Sequence, residues 1–189
     1  MKKFTLYILT AFGLMGLATS CNDFGDVNND PMNLNPGVVD YKMEFTQVEA
    51  QICGSDWDVW RNGCIYTANM IQHTASVDWA YGVFYTWNDQ YSGAYWGGFY
   101  SGGRAAIRNI IDVMNNWEGN PAYANEYQMC RILKAYMFQN MTDLYGDVPY
   151  SEAGQGYSTN PIPYPKYDTQ EAIYNDLLKE LDELLPVIR

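Results

Sequence analysis

Apolar residues return at helical spacing in five stretches of this chain, and no stretch shows the alternation of a half-buried strand. After Asp40, a candidate N-cap, Tyr41, Phe45, Val48 and Ile52 fall at steps of four, three and four, which predicts a helix. A second stripe over residues 59–75 joins Trp60, Cys64, Ala68, Ile71 and Ala75. A third helix is predicted over 92–117, burying Trp96, Phe99, Tyr100, Ile107, Ile110, Ile111, Met114 and Trp117, with Gly103 on the same stripe. "EGNP", residues 118–121, stops it. The fourth, over 122–145, runs through Tyr123, Tyr127, Cys130, Leu133, Met137, Met141 and Leu144, and Gly146 is its natural terminator. "DTQE", residues 168–171, offers Asp168 as a cap and Glu171 as its reciprocal partner. The helix it opens carries Ile173, Leu177, Leu181, Leu184 and Ile188.

Between the last two helices lies "DVPYSEAGQGYSTNPIPYPKYD". Pro149, Pro161, Pro163 and Pro165 forbid helix there and favour extended backbone. The predicted fold class is all-α: helical hairpins of tetratricopeptide-like type with long irregular loops. The third and fourth helices form one hairpin about "EGNP". The repeat consensus itself is not legible.

The N-terminus changes the picture from helices to an address. Lys2 and Lys3 precede an uncharged apolar run over residues 4–18, which is shorter than the roughly 20 residues that cross a bilayer. It ends in "LATSC", which is similar to a bacterial lipobox. Residues 1–20 are therefore read as a signal peptide of lipoprotein type, and Cys21 as the lipidated first residue of the mature chain. Residues 21–39, rich in Asn, Asp, Gly and Pro, form a flexible leader between anchor and body. Each acyl methylene buried in lipid contributes about 0.8 kcal/mol to such an anchor.

The net charge of −11 and the absence of any basic patch argue against a nucleic-acid partner. In an exported protein Cys53 and Cys64 could form a local disulfide; alternatively they and Cys130 are small buried hydrophobes. His73 is the one histidine, so no histidine cluster can hold a metal, and its place near the end of the second helix suits a satisfied or dipole-stabilised residue. No phosphate loop follows a strand, and no cofactor is implied. Asp143, Asp147 and Glu152 lie near one another as a glycosidase's acids would, yet they read better as a helix stop and an Asx turn. No catalytic residue is expected.

Composition does single out one segment. Ten aromatic residues fall between Asp78 and Tyr100. Trp96, Phe99 and Tyr100 belong to the third helical stripe, whereas "SVDWAYGVFYTWNDQY" has no clean period. In it Trp79, Tyr81, Tyr85 and Trp87 interleave with Asp78, Asn88 and Asp89. Flat rings cover the C–H face of a pyranose, and short carbonyl and carboxyl groups accept from its hydroxyls. These seven residues are the candidate ligand contacts. The competing reading folds the same loop back onto the helices as packing.

"NDPMNLNP" after the cysteine, "YSGAYWGGFYSG", "DLYGDVPYSEA" and "YDTQEAIYNDLLKELDE" resemble, in that order, the SusD/RagB family of nutrient-binding outer-membrane lipoproteins of Bacteroidetes. Members are considerably longer, so residues 40–189 are expected to be the N-terminal part of such a protein. The resemblance implies capture of oligosaccharides, in some members peptides, for a TonB-dependent SusC-like transporter. It also implies lipid anchoring at the outer membrane, with helical repeats facing the transporter and loops holding ligand. Asp23 and Asp26 are similar to the family's surface-export signals. The alternatives are a helical scaffold that binds only protein and a glycoside-processing enzyme.

Overall fold

The computed structural model describes residues 40–52, 54–101, 104–156 and 162–184. The predicted signal segment and leader, with Cys21, lie outside the described residues, as do Cys53, Gly102, Gly103 and Ile188. The fold is all-α: paired helices around one core, with a two-stranded ladder across its long loop.

Helix α1 (Tyr41–Gln51) starts where predicted, with the Asp40 carboxylate accepting from Lys42 N at 3.0 Å. It buries Phe45 and Val48 against α6 (Ala106–Trp117), and the Phe45 and Trp117 rings lie 5.5 Å apart. Ile107, Ile110, Val113 and Trp117 form the inner face of α6, at steps of three, three and four. A turn at Gly119 and a 3-10 turn (Pro121–Tyr123) lead into α7 (Ala124–Tyr145), antiparallel to α6. From α7, Cys130, Met137, Phe138 and Met141 are sealed in the core. Fully burying a side chain of that size stabilises the fold by roughly 1.5–3 kcal/mol. Leu144, predicted on this face, is exposed, while Ala135, Phe138 and Thr142 are buried. Gly146 ends the helix at φ +75° and ψ −120°, a backbone only glycine adopts without strain.

Helix α8 (Gln170–Leu184) returns along α7. Ile173, Leu177 and Leu184 are buried, and Arg131 of α7 bonds both Glu180 and Glu183 at 3.1 Å. Leu181 stays partly exposed. The predicted cap is one residue early. Thr169 Oγ1 accepts from Ala172 N at 3.3 Å, whereas Asp168 is drawn into a strand. That strand, β2 (Tyr167–Asp168), pairs antiparallel with β1 (Val148–Pro149), Val148 opposite Asp168. Two residues are too few for alternation to reveal a strand.

Two helical expectations fail. The third helix is not continuous: α4 (Asp89–Ser92) and α5 (Ala94–Tyr100) precede a break, and α6 starts afresh after Ala105 at φ +38°. Gly97 and Gly98 each weaken α5 by up to about 1 kcal/mol relative to alanine, yet they stay within it; the interruptions fall at Gly93 and after Tyr100. In the second helix, α2 (Asp56–Asp58) runs into a π-helix (Val59–Thr67) and then α3 (Ala68–Met70). The residues buried along it are Asp58, Asn62, Ile65, Tyr66 and Asn69, on the side opposite the predicted stripe. Cys64, Ile71 and Ala75 of the predicted stripe face outward. Cys64 is an exposed free thiol; Cys130 is buried, and burial pushes its thiol up to about 12.

Candidate ligand-binding face

The π-helix supplies the wall on which the aromatic loop rests. Along this wall Asp58, Asn62 and Asn69 are buried and hydrogen-bonded, whereas the buried Arg61 Nε has no hydrogen-bond partner among the described residues. Asp58 accepts from Ser55 N and Oγ, completing a capping box, and pairs with the Arg104 guanidinium. Burial pushes the Asp58 carboxyl up, but the Arg104 and Ser55 bonds outweigh it and hold it below its ordinary 3.8. With its amide oriented to suit its neighbours, Asn62 donates to Tyr91 O and accepts from Tyr95 N, each at 3.2 Å. Asn69 donates to Ile65 O at 3.0 Å and accepts from Thr74 Oγ1 at 2.9 Å.

The loop begins and ends on strained stops. Helix α3 closes with Gln72 at φ +60°, its N–H on Asn69 O at 3.1 Å and the His73 N–H on Ala68 O at 2.9 Å. That pair of bonds is a Schellman stop, whose left-handed position is usually glycine. The helical turn over residues 80–85 closes the same way, with Tyr85 at φ +53°, Tyr85 N on Gly82 O at 3.4 Å and Thr86 N on Tyr81 O at 2.9 Å. Trp79 is also left-handed, at φ +49°. The loop docks through Gly82, whose N–H donates to Ile65 O at 3.2 Å.

The rings then form a connected set. Trp60 takes Trp57, Trp79 and Tyr91 edge-on at 5.5, 5.3 and 5.9 Å. Tyr81 sits between Tyr91, at 5.4 Å, and Tyr66, at 6.4 Å. The Arg61 guanidinium lies over Trp57 at 5.6 Å and Tyr91 at 5.8 Å, a cation–π arrangement. Trp79, Tyr85 and Trp87 are 52, 65 and 72% exposed, so they are not spent on the core.

The seven predicted residues do not share one spot. Trp79 and Tyr81 join the ring set, Tyr81 half-buried. Trp87 donates to the Asp89 carboxylate beside it. Tyr85 reaches back to α3, donating to Met70 O at 3.3 Å. With Gln72, His73, Thr74, Asn69 and Val83 it lines a cavity of about 380 Å³. Asp78 is exposed. Asn88 has a local task, capping α4 by accepting from Gln90 N at 3.1 Å. Sequence reasoning passed over Trp57, Trp60, Arg61 and Tyr91; the dense "DWDVWR" just before the loop was the available signal. His73 is exposed at the cavity's edge just past the end of α3, and among the described residues its ring makes no hydrogen bond.

The three acidic residues weighed for catalysis are separately engaged. Asp143 accepts from Tyr174 Oη, Asp147 from Gln170 N at 2.9 Å, and Glu152 from Lys166 N at 2.9 Å. Among the described residues no group of three or more metal-ligating side chains gathers, and no helix is long and apolar enough to cross a membrane.

Residues 38–188 match a family model named SusD-like and described as "Starch-binding associating with outer membrane". Among solved structures the chain is similar to a chitin-binding protein, at 32% identity and a TM-score of 0.65. That match covers 78% of this chain and 30% of the other. It is also similar to a Bacteroidetes protein titled AC2a SusD-like, at 29% identity and a TM-score of 0.64, covering 80% of this chain and 27% of the other. The chain thus spans less than a third of either neighbour. No curated protein matches it.

Proposed function

The chain belongs to the SusD-like family, and we propose that its aromatic loop is a glycan-contacting face of a surface lipoprotein serving nutrient import. The observation that carries this reading is the exposure of Trp79, Tyr85 and Trp87 on a loop held by strained stops. Leaving a side chain of that size in water forgoes roughly 1.5–3 kcal/mol that burial would provide. A pyranose supplies the missing cover: its C–H face lies on the ring, and its hydroxyls meet Asp78 and Asp89. Support at the family level comes from the starch-binding description and from the chitin-binding neighbour. The role includes no chemistry on the glycan.

The rest of the reading concerns the cellular setting. Cys21 carries the lipid that holds the protein at the outer membrane, exposed on its surface. The glycan passes to a TonB-dependent SusC-like transporter. Its support is the lipobox-like "LATSC" and the family's outer-membrane association. A Cys21→Ala variant is expected in the soluble fraction; unchanged membrane association would defeat the anchor.

Affinity electrophoresis through gels containing a panel of glycans tests the binding face. At least one glycan should retard the protein, and Trp79→Ala or Trp87→Ala should abolish the retardation. Retardation unchanged in both variants would remove the loop from the reading, and no retardation on any glycan would remove glycan binding.

A further inference from the structure

We propose that the cavity beside Tyr85 is the specificity pocket of this face and receives the acetamido group of an N-acetylated sugar, an inference that rests on the glycan-binding reading above. The first observation is the placement of strain. Both Schellman stops need a left-handed residue, where a Cβ is unfavourable and glycine is the common choice. Here the two positions are Gln72 and Tyr85, 13 residues apart in sequence, and both line the same cavity of about 380 Å³. Glycine would serve the backbone equally well at either position. What the two residues add is a carboxamide and a phenol ring at one place.

The second observation is independent and concerns polar groups. In the cavity wall Thr74 and Asn69 bond each other. The Gln72 carboxamide and the His73 imidazole, in contrast, belong to exposed residues that make no hydrogen bond among the described residues, so both are open to a ligand. A carboxamide and a neutral imidazole each offer a donor and an acceptor. Ala75 and Val83 complete the lining with apolar surface. An acetamido group presents the complement: an N–H to donate, a carbonyl to accept and a methyl to bury. A bare hydroxyl leaves Ala75 and Val83 uncovered. A carboxylate or sulfate finds no lysine or arginine among the lining residues. The volume falls within the range of roughly 300–1,000 Å³ typical of small-ligand sites. Tyr85 is itself an exposed ring in the cavity wall, so one sugar ring can lie on its face while its substituent enters the cavity.

Isothermal titration with chitohexaose, cellohexaose and maltohexaose tests the assignment. Cellohexaose keeps the β-1,4 backbone of chitohexaose and carries a hydroxyl where each acetamido group was. Chitohexaose should bind at least about tenfold tighter than cellohexaose. His73→Ala and Gln72→Gly should each bring that ratio to within about threefold of unity. Gln72→Gly relieves the stop rather than straining it, so circular dichroism should show the fold intact. Equal affinity for the two β-1,4 hexaoses in the unaltered protein would overturn the pocket and leave glycan binding standing. So would binding of maltohexaose alone, or a ratio that survives both substitutions. Binding of none of the three also overturns the pocket, and the wider panel then decides the fate of the glycan reading.

Discussion

Arg104 reaches back 46 positions to pair with Asp58, and the two partners are unequally buried: the Asp58 side chain is 5% exposed and that of Arg104 34%. Removing either one leaves a different orphan. Arg104→Met strands a buried carboxylate, which should cost about 3 kcal/mol in chemical denaturation, at the lower end for a broken buried pair. Asp58→Asn keeps an oxygen for Ser55 and leaves a guanidinium that can reach water, so its cost should be about 1 kcal/mol. Equal losses, or a larger loss for Asp58→Asn, would contradict this account of the pair.

The same carboxylate sets an acid response. Asp58 is held below its ordinary 3.8 in the fold, and so is Asp168, where burial is outweighed by the Ser151 N–H and hydroxyl at 2.7 and 2.8 Å. Below that value the unfolded chain binds protons that the fold still refuses. Their stabilisation is therefore complete above pH 3.8 and is lost as pH falls through the depressed folded values. Denaturation midpoints should fall steeply below about pH 4, and less steeply in Asp58→Asn. An identical acid slope in the variant would refute the Asp58 share.

How far the sequence was legible follows from where apolar residues do the packing. In α1, α6 and α8 they do: the Asp40 cap and most of the stripes hold, apart from a one-residue slip at Thr169 and the exposed Leu181, with Ile188 outside the described residues. In the second helix the buried face keeps helical spacing but is built largely from the polar Asp58, Asn62 and Asn69. A hydrophobicity stripe drawn at 3.6 residues then selects the wrong side. The binding loop was legible as an aperiodic aromatic run, but Trp60 was assigned to the second helical stripe, Trp57 lay ahead of that stripe, and Tyr91, at the end of the run itself, was not singled out. The cavity was invisible in the sequence because left-handed stops at Gln72 and Tyr85 carry no glycine to announce them.

Gly82 shows what docks that loop. A Cβ there would stand 2.4 Å from Ile65 O and 2.8 Å from Tyr66 O, both backbone atoms of the π-helix. Neither can move without breaking the helix, so Gly82→Ala should lift the loop away. Loss of about 1–3 kcal/mol of stability is expected, the range for overpacking. Tryptophan fluorescence should shift to the red as Trp60 loses its contact with Trp79. A variant with native stability and spectrum would mean that the loop is held elsewhere.

At the alkaline end the tyrosines around the long loop take over. Tyr100 donates to Pro149 O and Tyr150 to the Asp176 carboxylate, each at 2.6 Å. Burial is the main cause raising both phenols above their ordinary 10.0; the charges of Tyr167 and Asp168 add to it for Tyr100, and the bond to Asp176 adds to it for Tyr150. A phenol raised in the fold stabilises it fully below pH 10.0, and that contribution disappears as pH climbs through the folded value. Tyrosinate absorbance should therefore rise in two phases, the later one, from Tyr100 and Tyr150, together with unfolding. Tyr150→Phe should shrink the late phase. It should lower stability at neutral pH by only about 1 kcal/mol, since Asp176 is exposed and regains water. A single phase near pH 10, with the helical signal intact throughout, would show that neither phenol is held by the fold as described.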